Sequence, residues 1–487
     1  MNWVLKVKTS KGMRRECRLG RKAASEIMFI LVLLATAMLS LAFNIQPAKS
    51  EWTGTVYIRA DGSIDPPDAP IRTYDNITYT LIDDITSSAD GIVAERDNII
   101  IDGAGYVLQG TGAYLSNGIY LLGRSNVTIK NVTIKNFWWG ITLNSTSKVT
   151  LCGNNIAGTN SSGIMLDRSS NNTISSNTIT NNLGTGIYLG TAISFAEPPL
   201  SDYNIITENN VTNNQRGIYL YQSSNNTMIG NNIANNDYGI WLWHHSDYNK
   251  VSGNTITKNH LSGIYLSYSF RNEFLHNNFI YNTYQVELYE SGYANFWDDG
   301  YPSGGNYWSD YTGVDLFSGS YQNETGSDGI GDAPYIIDEN NVDRYPLMGP
   351  FNGFNTSVEY SVNIISNSTI EDFKYFDSNN TIVMYVSNMT ADQTAGFCRL
   401  AIPHDVISPP YTVKVNDTTI EYRTIYENHT EGISIIYFTY EHSKLEITII
   451  PEYPSMTIML LLSATLLTTA LRKRKLQRRK CIKELQT

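Results

Sequence analysis

The stretch "GIYLYQSSNNTMIGNNIANNDYGIWLW" runs from Gly217 to Trp243. It holds two glycines 22 residues apart, each followed by Ile, an aromatic residue and Leu, with asparagine-rich sequence between them. The motif Gly-Ile-x-Leu starts at Gly118, Gly140, Gly163, Gly186, Gly217, Gly239 and Gly263, in steps of 22, 23, 23, 31, 22 and 24 residues. A second series runs out of step with it: Asn131, Asn154, Asn177, Asn209, Asn231, Asn254 and Asn277. Both series take their one long step at the same place, so one coil carries an insertion. A fixed period in the low twenties is the mark of a solenoid.

The pattern inside each period selects the kind of solenoid. Short runs such as "GIYL", "NTMI" and "NNIA" alternate with period two, and none shows helical periodicity over a helix's length. Leucine-rich repeats share the period, but their LxxLxL run is missing. Three short strands separated by turns remain, and stacking the coils makes parallel sheets with neighbours about 4.8 Å apart. Ile and Leu of the motif then point inward as columns. The glycine is expected to supply a tight turn with positive φ. The recurring Asn is expected to tolerate left-handed turns, to bond backbone groups and to bond its own copies along the axis.

The "GIYL…NNTI…NNI" coils resemble the right-handed parallel β-helix proteins of the periplasmic NosD type, whose repeat is called the carbohydrate-binding and sugar-hydrolysis domain. The segments "NFWDDGYPSGGNYWSDYTGVD" (Asn295–Asp315) and "SDGIGDAPYIID…DRYPLM" (Ser327–Met348) resemble the end of archaeal surface members. The likeness covers roughly residues 90–350. It implies the fold; for activity it implies little, because lyases, epimerases, hydrolases and non-enzymes share the repeat. The family's link to copper finds no dense Met/His cluster here to attach to.

The fold class that follows is all-β: a right-handed parallel β-helix, a small immunoglobulin-like β-sandwich and a C-terminal transmembrane helix. Residues 51–294 form the β-helix with an N-terminal cap. Residues 295–350 break the period, and Trp297 and Trp308 are placed to cover the last open coil. About seven alternating runs between 355 and 452 read as a sandwich stalk.

The ends carry topology. Residues 1–50 place an apolar run, 27–43, behind Arg14, Arg15, Arg18, Arg21 and Lys22, the pattern of a signal peptide or an N-terminal anchor. Residues 455–471 carry no charge and lead directly into a basic tail, 472–487. Such flanks stay in the cytoplasm. The expected arrangement is a single-pass cell-membrane protein with the bulk of the chain extracellular. Cys17, Cys152, Cys398 and Cys481 show neither zinc nor disulfide spacing. Asn-x-Ser/Thr sequons at Asn355, Asn367, Asn379, Asn388, Asn416 and Asn428 lie outside the repeat and are expected glycan acceptors.

The net charge of −11 hides an asymmetry. Residues 51–454 hold 18 Lys and Arg against 43 Asp and Glu, a balance of −25. That surface repels nucleic acid, which excludes it as a partner.

The candidate site comes from the outward positions. Two residues after each motif glycine stand Tyr120, Thr142, Met165, Tyr188, Tyr219, Trp241 and Tyr265; four after stand Leu122, Asn144, Asp167, Gly190, Tyr221, Trp243 and Ser267. Aromatic side chains offer a flat apolar face and a polar edge, which suits a sugar ring. Tyr188, Tyr219, Tyr221, Trp241, Trp243, His244 and Tyr265 are therefore the expected carbohydrate-binding residues. The insertion Thr191–Asp202 is placed to wall the strip. The plain alternative is that stacked rings only stabilise the sheet.

A glycosidase needs two carboxylates flanking the bond, and the outward columns offer Asp167 alone. Arg216, His244, His245 and Asp247 have no spacing that demands catalysis. The favoured function is polysaccharide or cell-surface glycan binding. A lyase, epimerase or hydrolase on the same face and a structural envelope spacer are the alternatives. For a cofactor, "SDGIGD" places Asp328 and Asp332 near each other and raises Ca2+, though without an EF-hand's ligand spacing.

Overall fold

The structure, a computed structural model, describes residues 52–191, 200–290, 294–441, 444–452 and 464–474. The proposed signal or anchor at 1–50 and the tail beyond Arg474 lie outside the described residues, as do 453–463.

The repeat folds as a β-solenoid of the right-handed type. One coil runs through Asn117–Leu122, Val127–Lys130 and Thr133–Lys135 before the next begins at Trp139. Strands of successive coils pair in parallel with their copies one period on, in two sheets of 11 strands and one of 10, of which one 11-stranded sheet and the 10-stranded one each end in an antiparallel strand, Ile64–Asp65 and Ile71–Arg72. The register matches the sequence period: Ile119 pairs with Ile141, Ile141 with Ile164, Ile164 with Ile187, Ile187 with Ile218, Ile218 with Ile240 and Ile240 with Ile264. All seven are fully buried, as the inward assignment requires. The column continues beyond the glycine motif, to Ile92 and Val56 on one side and Val286 on the other.

The motif glycines have a different reason from the expected one. None of them is in the left-handed region. A Cβ on Gly217 would lie 2.5 Å from the carbonyl oxygen of Gly239 and 2.8 Å from Ile233, and one on Gly239 would lie 2.4 Å from the oxygen of Gly263. The backbones of successive coils approach too closely here for any side chain. The left-handed positions fall elsewhere, on residues such as Asn136, Asn171, Asn181 and Asn213.

The asparagines also need correction. Asn131 is exposed and left-handed, and Val132 holds the position that Asn154 holds in the next coil. The ladder therefore runs from Asn154 through Asn177, Asn209, Asn231, Asn254 and Asn277 to Asn306. Its members are buried and not left-handed. From Asn177 on, each Oδ1 accepts two bonds from the preceding coil; Asn254 Oδ1 takes the backbone N–H of Asn231 and its Nδ2, both at 2.9 Å. Two more ladders mark the other corners, Asn172 to Asn295 and Asn182 to Asn282. From these coils on, each of the three corners is closed by a buried amide that bonds its copy in the next coil.

At the last coil the inward columns change from aliphatic to aromatic. Phe274 and Phe279 are fully buried, Trp297 stacks on Phe274 at 4.3 Å, and Trp308 stacks on Phe279 at 4.3 Å. The indole N–H groups donate to Asn341 Oδ1 at 3.1 Å and Asp343 Oδ2 at 2.8 Å. Burial pushes the Asp343 carboxyl up to about 7.

The C-terminal part is a sandwich of two five-stranded antiparallel sheets. Ten strands replace the expected seven or so, starting at Phe351–Asn355 and ending at Leu445–Pro451. The last strand lies inside its sheet, between Thr381–Asn388 and Tyr411–Val415, whereas an immunoglobulin sandwich carries its last strand at an edge. Ile364, Met384, Leu400, Ile436 and Ile447 fill the core. Buried Arg399 ties this sandwich to the preceding segment, donating to the carbonyl of Asp328 at 2.7 Å and to that of Pro302. Residues 464–474 are helical, with Leu466, Leu467 and Leu471 exposed. Among the described residues no helix is long and apolar enough to cross a membrane.

Candidate functional site

The outward columns stand in register as read from sequence. Tyr188 pairs with Tyr219, Tyr219 with Trp241, Trp241 with Tyr265, and Tyr221 with Trp243. All are half-buried on the outer face of the sheet. Their rings touch in a continuous series: Tyr188–Tyr219 stack at 5.1 Å, Tyr219–Trp241 meet at 5.5 Å, and Trp241–Tyr265 meet at 4.7 Å. Trp243 bridges the two columns, 6.1 Å from Trp241 and 5.6 Å from Tyr221. His244 closes the strip, 4.9 Å from Trp243 and stacked on Tyr268 at 5.6 Å. Burial raises the phenol pKa of Tyr188, Tyr219 and Tyr265. All three phenols are therefore neutral at neutral pH.

A third column was not legible as such. Three residues that precede motif glycines, Trp139, Arg216 and Tyr238, are half-buried rather than buried, and the last two stand beside the first aromatic column. Arg216 stands over two rings, 4.7 Å from the centroid of Trp241 and 5.4 Å from that of Tyr219. Tyr238, absent from the sequence-based set, lies 4.6 Å from Trp241 and 5.5 Å from Tyr265. Simple alternation would put these residues inside. The glycine breaks it: its missing side chain points inward, so two inward positions are adjacent and the preceding residue is turned out. The burial sequence of Arg216–Tyr221 shows this, half-buried, buried, buried, half-buried, buried, half-buried.

A pocket of about 260 Å³ opens at one end of the strip. Trp139, Thr185, Tyr188, Arg216 and Tyr219 line it. The insertion contributes Thr191, whose carbonyl accepts the Tyr188 hydroxyl at 2.9 Å. Residues 192–199, the rest of the expected wall, lie outside the described residues.

The remaining candidates scatter. Asp167 is buried beside the strip and pairs with Arg168 at 3.2 Å. His245 is exposed, 3.9 Å from Asp247. Asp328 and Asp332 spend carboxylate oxygens on loop amides: Asp328 accepts from Ile330, and Asp332 from Leu316 and Phe317.

A family model described as "Periplasmic copper-binding protein (NosD)" matches residues 58–195 and 199–313. Among curated proteins, none matches the chain. Solved structures similar to it include the periplasmic alginate epimerase AlgG, with 16% identity over 48% of this chain and 82% of that one, at a TM-score of 0.27. The A-module of the Azotobacter vinelandii mannuronan C-5 epimerase AlgE6 has 12% identity over 51% and 90%, at 0.31. Tailspike protein 2 of Escherichia coli O157:H7 bacteriophage CAB120 has 11% identity over 76% and 63%, at 0.38.

The metal in the family's description finds no fit in these residues. Among the described residues no group of three or more His, Cys, Asp or Glu is placed to hold a metal ion. Cys152 and Cys398 are free thiols, and His244 is engaged with rings.

Proposed function

The chain belongs to the NosD family, and from that premise we propose that it binds polysaccharide along the aromatic face of its solenoid. The observation that carries this reading is the unbroken series of half-buried rings from Tyr188 to Tyr265 on the outer face. Flat apolar rings with polar edges match the C–H faces and hydroxyl rims of sugars. The ladders and inward columns hold them on a rigid support, so little ordering cost falls on binding. Glycosidic cleavage would need two carboxylates within about 5–9.5 Å of each other, and the outward Asp167 and Glu287 stand five coils apart along the sheet. That favours binding without chemistry.

A glycan array probed with the full chain tests the reading, followed by Trp241→Ala on any hit. A covered ring removes apolar surface worth on the order of 1–3 kcal/mol. The variant should therefore bind about tenfold more weakly or worse. Unchanged affinity would leave the rings as sheet packing and move the spacer reading ahead.

The same proposal places the solenoid outside the cell, held by residues 455–471 with the basic tail inside. Its support is the charge pattern of the two ends. Protease added to intact cells should then digest the solenoid and spare an epitope fused after Thr487. An epitope accessible without permeabilisation would reverse the topology.

A further inference from the structure

Resting on the glycan-binding reading, we propose that the ligand is an acidic glycan and that Arg216 receives its carboxylate or sulfate. Arg216 is half-buried at the pocket beside the strip. Its Nε is shielded from solvent and has no hydrogen-bond partner, and one terminal nitrogen donates to Gln215 at 3.2 Å. Among the described residues it makes no ion pair within 4.0 Å, on a body where acids outnumber bases 43 to 18. Its neighbours on the face show how the chain treats other charges. Asp167 is matched by Arg168, and Asp237 lies 3.3 Å from His260. Arg216 is left over rings, which hold a guanidinium by its face and leave its edge free.

That edge is what a planar anion needs. Guanidinium presents parallel N–H donors that match a carboxylate or sulfate in two-point contact. The pocket supplies the rest: Trp139 on one side, Tyr188 and Tyr219 on the other, and the hydroxyl-bearing Ser162 and Thr185. A sugar lying along the strip would thus set its exocyclic acid group against the free edge of Arg216. The acceptor is offered to the terminal nitrogens of the guanidinium, since Nε is shielded from solvent. Neutral sugars offer this guanidinium only uncharged hydroxyl acceptors, which hold it more weakly than an anion does, and that sets the direction of selectivity.

The test uses the full chain and three probes: tetragalacturonate, the same oligomer with its carboxyl groups reduced to alcohols, and a sulfated galactan tetrasaccharide. Calorimetry should show at least one acidic probe binding tenfold or more tighter than the neutral oligomer. Arg216→Gln should weaken the acidic probe tenfold or more and the neutral oligomer by clearly less, so that the preference is lost. Arg216→Lys should recover only part of it, because the charge returns without the fork. Comparing the two acidic probes assigns carboxylate or sulfate. If wild type binds acidic and neutral probes equally, or if Arg216→Gln keeps the preference, the proposal is overturned and the strip reading stands. If binding is indifferent to Trp241→Ala, the strip reading itself fails. Binding of none of the three probes overturns both. Unchanged melting of the Arg216 variants shows that lost selectivity is not lost folding.

Discussion

Replacing Asn254 by Ala should destabilise the solenoid by about 3–6 kcal/mol. Asn254 is fully buried in the middle of its ladder. Its Oδ1 accepts from the backbone N–H and the Nδ2 of Asn231, and its Nδ2 donates to the carbonyl of Met228 and to Asn277 Oδ1, all at 2.9 Å. Alanine takes one partner from each of two donors and two acceptors in the interior, while Asn277 Oδ1 keeps the backbone N–H of residue 254. Each unsatisfied buried group costs roughly 1–3 kcal/mol, offset where a second bond survives. Asn231 Nδ2 keeps bonds to Ile206 and Ile229, so the sum falls below four full penalties. Asn254→Asp sharpens the test. It keeps the accepting oxygen but turns its second oxygen toward the Met228 carbonyl and Asn277 Oδ1. Only the protonated acid can donate there, so its folded pKa is raised above the unfolded value of about 3.9. The variant's stability should be closest to wild type below that pH and be lost as pH rises through the folded pKa. Urea melts of both variants at acidic and neutral pH measure this. Asn254→Ala within about 0.5 kcal/mol of wild type would show that the ladder is decoration.

The second large effect is expected one residue away from the proposed binding ring. Ile240→Ala should cost about 2–5 kcal/mol. Ile240 is fully buried between Ile218 and Ile264, so the lost carbons leave a cavity that neighbouring coils cannot close without breaking register. Trp241→Ala, on the outside of the same strand, makes no core cavity. It gives up ring contacts with Tyr219, Tyr238 and Tyr265, each worth about 0.5–1.5 kcal/mol beyond area. The indole also buries an Nε1 without a partner, which its removal relieves. Thermal melts should therefore rank Ile240→Ala well below Trp241→Ala, while glycan affinity should rank them the other way. Equal losses of stability would mean that Trp241 packs as core does.

The solenoid was legible because its environment repeats. Each Ile of the motif meets the same neighbours one coil before and after, so a period in sequence is a register in space. Ile119 to Ile264 stack as written for that reason. The outward columns followed from the same register, and with them Tyr188, Tyr219, Trp241, Tyr265, Tyr221 and Trp243. Asn131 was misplaced because it stands one residue before the ladder position, at a left-handed site that the later coils fill with Gly153, Ser176, Glu208, Gly230, Gly253 and His276. That site needs left-handed backbone; the next needs a buried amide. A spacing of 23 fits either. The two further ladders were hidden by the same abundance of Asn.

Strand alternation, read from sequence alone, assigned Ile and Leu to the core and a row of rings to the surface. What surrounds those rings was decided only by the fold. Arg216, Tyr238 and Trp139 reach the outer face because the coils approach so closely at the glycine that its position must point inward. That contact, 2.5 Å for a Cβ on Gly217, is between residues 22 apart, and no local preference of Gly reports it. The pocket likewise joins residues from Trp139 to Tyr219, four coils' worth of chain. Periodicity is local chemistry repeated, so sequence carries it; the break in alternation is a long-range steric contact, and only packed coils create it.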